Sequence, residues 1–329
     1  MRIGLALTGV LVAVALQGAA LGQPAGVGAA PAELTVILIG TAAGPTAQPQ
    51  RLGISTLVRA GAQTLLFDCG RALTTGLARL AINPPSVTKI FLTHLHSDHI
   101  VSLPELYLFS WAQGRPVPLQ VWGPEGTRSM VDHLQRAFAF DIRMRRDVDE
   151  KFSAEGIRAN ATDVREGVVY ESDGVAVTAF LVDHGPVMPA FGYRVDYRGR
   201  SVVLSGDTKP SANLAKVAQG ADVLIHELGR WKQDPVLAGP ADEVVAAQGQ
   251  TRGQLRTIAA HHTDGVEAGQ LFARVKPRLA VFSHYNADPA ATLPLVRQHY
   301  AGAVEFGEDL MTIAIGDTIT ARRFAPPAP

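Results

Sequence analysis

The stretch from Lys89 to His99 constrains this chain more than any other: an apolar run, Ile90-Phe91-Leu92, gives way after Thr93 to His94, His96, Asp98 and His99. A short apolar run bounded by turn formers reads as a buried strand, and the switch to polar side chains marks a strand that ends in a site. In extended backbone, residues two apart project to the same side. His94 and His96 can therefore offer imidazoles to one ion while Asp98 and His99, in the turn beyond, face a second. A lone histidine is usually a satisfied core or surface residue, but four ligand-type side chains within six positions at a strand end read as a metal site. Cys69 is the only cysteine, so any metal must be held by histidine and carboxylate.

Further ligands are expected where other apolar strands stop. His184 follows Val175 to Val182, Asp207 follows Val202-Val203-Leu204-Ser205-Gly206, and His284 follows Ala280-Val281-Phe282-Ser283. Asp68, at the end of Gln63 to Phe67, has two readings, a brace for a ligand histidine or a cap for a helix over Arg71 to Ala81, and capping is the expectation. His133 reads as a surface residue, and Arg143, Arg145 and Arg146, set among acidic residues, as a solvated face. Strands followed by helices, twice over, predict an α/β chain built as a four-layer αββα sandwich. A helix is expected over Asp242 to Ala260.

Of 329 residues, 47% are hydrophobic, which suits one sizeable globular domain, here placed at 34–320. Lys plus Arg equals Asp plus Glu at 30 each, so net charge provides no basic field for nucleic acid. Residues 1–22 read as a secretory signal peptide: Arg2, an apolar run from Ile3 to Leu16, and Ala20-Leu21-Gly22 before Gln23. Residues 23–33 read as a disordered leader and 321–329 as a Pro-rich tail. The expected location is thus periplasmic or secreted, with no stable membrane span once the leader is cleaved.

These pieces together resemble the metallo-β-lactamase fold superfamily, and within it the ribonuclease Z-like and arylsulfatase-like branch of metal-dependent hydrolases. The resemblance rests on Thr93-His94-Leu95-His96-Ser97-Asp98-His99, with Phe67-Asp68-Cys69-Gly70, Phe191-Gly192-Tyr193-Arg194-Val195, Ser205-Gly206-Asp207-Thr208, His226-Glu227, His262-Thr263 and Ser283-His284. It implies two divalent ions, zinc first with manganese or iron as alternatives. His94, His96 and His184 would hold one, Asp98, His99 and His284 the other, and Asp207 would bridge them. Catalytic roles are expected for Asp98, for His262 as general acid outside the ligand shell, and for Glu227 as the residue that orients it.

Two departures bear on substrate. Between Tyr193 and Ser205 there is only a short hairpin, where a typical ribonuclease Z carries a long arm that grips tRNA; Glu227 to His262 is longer than usual and could wall the site. Hydrolysis of a phosphodiester or sulfate ester on a small molecule or polymer is therefore the leading expectation, with nucleic acid not expected as a partner and a homodimer left open. The alternatives are a ribonuclease Z-type tRNA 3′ endonuclease, then a lactone or β-lactam hydrolase, or a non-catalytic metal-binding module. A structural zinc site is closed and mononuclear, which sets the last apart.

Overall fold

The computed structural model describes residues 34–46, 48–247 and 249–325. The signal-peptide and leader expectations, and the last residues of the tail, lie outside the described residues. No helix among the described residues is long and apolar enough to cross a membrane.

Two large sheets form the frame. The first runs in the spatial order Ile319–Arg322, Met311–Ile315, Leu34–Gly40, Ser55–Ala60, Gln63–Phe67, Lys89–Phe91, Leu119–Gly123, Ala159–Asp163. It is antiparallel until Gln63–Phe67 and parallel beyond it. The second runs Val304–Phe306, Leu279–Tyr285, Val223–Leu228, Arg200–Leu204, Val187–Tyr197, Val175–His184, Gly167–Ser172.

Strand periodicity decides the layers. Leu34, Val36 and Leu38 point inward and meet Val177, Val195, Val202, Ile225 and Val281 of the second sheet in one core. The alternate residues Ile37 and Ile39, with Leu66, Ile90 and Leu92, face the other way onto Leu73, Leu77, Leu106 and Trp111 of helices Leu73–Arg79 and Leu103–Ala112. Val203, Leu224, Ala280 and Phe282 do the same on the second sheet, against Leu214, Ala268 and Phe272 of helices Ala212–Val217 and Gly265–Val275. Both sheets are thus apolar on both faces, which demands a helical layer outside each and gives the expected αββα sandwich.

Several local expectations need correction. Asp242 to Ala260 is not one helix. Val244–Val245 and Gln250–Thr251 pair as a small hairpin through Gly249, and helix Arg252–Ala260 starts only where Thr251 and Gln254 form a reciprocal capping box. Alanine content favours a helix there, but a glycine at φ +64 ends any helix that reaches it. Asp68 caps nothing: helix Leu73–Arg79 begins after Ala72 at φ +64 without a side-chain cap. Ala159–Asp163 and Gly167–Ser172 are edge strands that sequence patterning did not single out, and Ile319–Arg322 carries the pairing past residue 320 into the segment read as tail. His133 and the arginine-rich segment are exposed or half-buried on the surface, as expected, with Arg145 paired to Asp141 and Glu150.

Candidate active site

The strand ends converge on one edge of the sandwich. Lys89–Phe91 lies parallel to Gln63–Phe67, with Phe67 opposite Phe91, so Asp68 and Thr93 leave their strands side by side. Asp68 adopts φ +58, a left-handed conformation that Asp tolerates better than most residues. Its carboxylate accepts from the Thr93 amide at 2.8 Å and from Thr93 Oγ1 at 2.9 Å, and lies 2.8 Å from His99 Nδ1. His94 Nδ1 is 3.0 Å from Thr93 Oγ1, whose own proton goes to Asp68, so the imidazole is the donor. A single buried carboxylate thereby sets the tautomer of two histidines and leaves both Nε2 atoms as lone pairs. The bracing reading of Asp68 is the one realised.

From the second sheet, His184 ends its strand and donates from Nδ1 to the His261 carbonyl at 3.2 Å, which again frees Nε2. Asp207 reaches the site because Gly206 turns with φ +61; a Cβ there would lie 2.5 Å from the Phe191 carbonyl oxygen. His284 is the next-to-last residue of the strand Leu279–Tyr285, at φ +51.

The free ring nitrogens point at one another. His96 Nδ1 lies 3.0 Å from His94 Nε2 and 3.4 Å from His184 Nε2. Asp207 Oδ2 is 3.4 Å from His99 Nε2, 3.9 Å from His94 Nε2 and 4.0 Å from His184 Nε2, while Asp207 Oδ1 is 3.1 Å from His284 Nδ1. His284 Nε2 is 3.2 Å, and His99 Nε2 3.7 Å, from Asp98 Oδ2. His99 Nε2, Asp207 Oδ1 and His284 Nδ1 are buried without a hydrogen-bond partner. Buried polar atoms left unpartnered this close together are costly unless a cation sits among them, so the residues fit a metal centre. The groupings His94, His96, His184 and Asp98, His99, His284 each have donor atoms within 4.8 Å of one another, with Asp207 between them.

Electrostatics point the same way at three of the histidines, whereas at His99 burial is outweighed by the Asp207 and Asp68 carboxylates, which raise it well above the ordinary imidazole value. Burial, reinforced by neighbouring histidines, holds His94 well below the ordinary imidazole value; burial also lowers His96 and His184, favouring the neutral ligating form. Burial pushes Asp98 and Asp207 up, yet the facing histidines more than offset it and keep both carboxylates ionised.

His262 stands beside this cluster, its ring 5.1 Å from that of His184 and 6.1 Å from that of His284. Its Nδ1 is 3.1 Å from Glu227 Oε2, and Glu227 Oε1 accepts from the Thr263 amide at 2.7 Å. Burial disfavours the charged ring, but the adjacent Glu227 carboxylate outweighs it and raises the His262 pKa to about 9. Neither His261 nor His262 caps the following helix; Asp264 does. Every metal-ligand and catalytic candidate singled out from sequence is therefore in one cluster. Asp68 as a brace was the reading set second to capping, and the His261 carbonyl was not foreseen. A carboxylate one residue past a strand adjacent to the ligand strand is the signal for the first; the second has none, because a backbone contact carries no residue preference.

Comparison with known proteins agrees with this geometry. The beta-lactamase superfamily domain matches residues 63–285. The chain is 36% identical over 293 residues to the ribonuclease Z of Mycobacterium avium, covering 86% of this chain and 98% of that protein. Among solved structures, the metallo-beta-lactamase fold protein YhfI of Bacillus subtilis superposes with a TM-score of 0.64 at 17% identity, covering 85% of this chain and 98% of that one. The short form of human tRNase Z gives 0.61 at 24%, covering 86% and 99%. The chain belongs to the metallo-β-lactamase superfamily, on its ribonuclease Z-like branch, and is a metal-dependent hydrolase.

Proposed function

We propose that the protein hydrolyses phosphodiester bonds in RNA in the manner of ribonuclease Z, using two divalent metal ions, zinc first among them. The observation that carries the two-metal part is the convergence of five ring nitrogens and Asp207 on one small volume. The RNA part is supported by likeness to ribonucleases Z over nearly their whole length, which outweighs the expectation that nucleic acid is not a partner.

His94, His96 and His184 would hold one ion, Asp98, His99 and His284 the other, and Asp207 both. When bound, such a pair supplies Lewis acidity toward the phosphoryl oxygens and an attacking water with a lowered pKa. The chain's own groups do the rest. Asp68 keeps His94 and His99 in the ligating tautomer. Asp98 accepts the proton of the attacking water. His262, its Nδ1 bonded to Glu227, presents Nε2–H to the leaving oxygen and protonates it as the P–O bond breaks.

A second reading, hydrolysis of small diesters or of a sulfate ester, is favoured by one feature: strands Val187–Tyr197 and Arg200–Leu204 are joined by Arg198-Gly199 alone, where a typical ribonuclease Z carries its tRNA-gripping arm. Export, inferred from residues 1–22, favours the same reading, since pre-tRNA is a cytoplasmic substrate. Zinc-loaded protein should be assayed on an RNA with a 3′ trailer, bis(4-nitrophenyl) phosphate, 4-nitrophenyl sulfate and a chromogenic β-lactam. Trailer removal supports the proposal, hydrolysis of the small diester alone supports the second reading, and turnover confined to the lactam overturns both. N-terminal sequencing of protein from the native host's periplasm or medium tests export, with Gln23 expected first.

A further inference from the structure

One imidazole at the rim of the ligand cluster is fixed in place while its ring nitrogens have no hydrogen-bond partner among the described residues. His261 ends helix Arg252–Ala260. Its amide donates to the Ile258 carbonyl at 3.0 Å and its carbonyl accepts from His184 Nδ1 at 3.2 Å, so its backbone is tied on both sides. Its ring lies against Gly185, at φ +64, where a Cβ would stand 2.7 Å from His261 Cδ2 and 3.0 Å from Nε2; only glycine leaves this seat open. The ring is half-buried and its centroid is 6.2 Å from that of His184, one step further out than His262 at 5.1 Å. In the neutral form it offers one N–H and one lone pair to whatever enters beside His184.

We propose that His261 is a specificity-determining residue that hydrogen-bonds the substrate beyond its scissile phosphoryl group, at a ribose hydroxyl or phosphate oxygen of the adjoining nucleotide. This rests on the phosphodiesterase reading above. It also gives the segment from Glu227 to His262 a chemical role, since one turn delivers a backbone acceptor to His184, a substrate contact at His261 and the acid at His262. Because the bond to His184 uses the carbonyl, replacing the side chain leaves that bond in place.

The test is calorimetric titration of zinc-loaded wild type, His261→Ala and His261→Gln with uridine monophosphate and with inorganic phosphate, alongside metal analysis. His261→Ala is expected to weaken nucleotide binding about tenfold, the loss of one hydrogen bond to a polar partner. Inorganic phosphate affinity and metal content should stay unchanged, and His261→Gln, which keeps an N–H donor, should recover part of the loss. Equal nucleotide affinity in all three proteins, or no nucleotide binding by wild type, overturns the inference. Parallel loss of phosphate or metal overturns it in favour of a structural role. A wild type that binds nucleotide but hydrolyses no diester overturns the phosphodiesterase reading alone.

Discussion

At Asp207 one buried carboxylate faces four imidazoles, with Oδ1 turned to His284 and Oδ2 to His94, His99 and His184. A residue that serves both halves of a site should, on removal, empty both. Asp207→Ala is expected to bind less than one ion per chain where two are expected in wild type, and metal analysis after gel filtration checks this; a variant that retains one tight ion would show that Asp207 serves a single metal. His262 makes a different prediction, because its proposed role is to donate a proton rather than to hold an ion. His262→Ala should keep both metals and lose about 10²–10⁴-fold in rate on alkyl esters, whose leaving group needs a proton. The loss on nitrophenyl esters should be much smaller, and equal losses on both would assign His262 a structural role. Glu227, 3.1 Å from His262 Nδ1, should set the pH range in which that acid works. Burial lowers the His262 pKa and the Glu227 carboxylate raises it, so Glu227→Gln removes the raising influence. Activity that depends on protonated His262 is lost as pH rises through its pKa, so the alkaline limb of the kcat profile should move to lower pH in Glu227→Gln. A limb that stays where it is would detach Glu227 from the acid.

At the scale of elements, what could be read from sequence is what periodicity writes. Strands whose alternate residues are apolar on both faces, such as Leu34–Gly40, require a layer on each side, and from that the four-layer architecture follows. Candidate ligands at the ends of apolar runs were legible for the same reason: an apolar strand that stops at His or Asp must place that side chain at the sandwich edge. Edge strands Ala159–Asp163 and Gly167–Ser172 were not legible, because half-exposed strands lack the continuous apolar run. Nor was the hairpin before Arg252, where alanine content argued for helix and a single glycine conformation decided otherwise. The strand beneath the metal motif has a mechanical role that can be measured. Phe91 is fully buried and stacks between Phe67 at 5.1 Å and Trp122 at 4.8 Å, three residues before His94. Phe91→Ala should cost about 3–5 kcal/mol, a cavity in a packed core. Urea unfolding of the zinc-loaded protein reads this directly, and a loss under about 1 kcal/mol would mean that the two sheets close over the gap.

Over the whole molecule, the question is how a chain with 30 basic and 30 acidic residues would hold RNA. Affinity for a polyanion comes from Lys and Arg neutralising phosphates, and each such contact adds to the fall of binding with salt, by about 0.7 per phosphate for single strands on logarithmic axes. Many of the arginines are already engaged: Arg145, Arg146, Arg158, Arg194, Arg252 and Arg323 are all paired with carboxylates. The turn at Arg198-Gly199 adds a tight corner, not an extended basic surface. A trailer-bearing RNA should therefore be cleaved with a shallow salt dependence, a slope of kcat/KM corresponding to about two or three phosphate contacts. The small diester, which would be held by the metal centre and its surroundings alone, should show almost none. Measuring kcat/KM for both substrates between low and physiological salt separates the cases. A shallow slope for RNA against a flat one for the diester fits an active centre that acts on RNA while gripping little of its body. A steep slope would reveal a basic surface that acts in place of the arm, and cleavage of the diester with none of the RNA at any salt would move the substrate to small phosphodiesters.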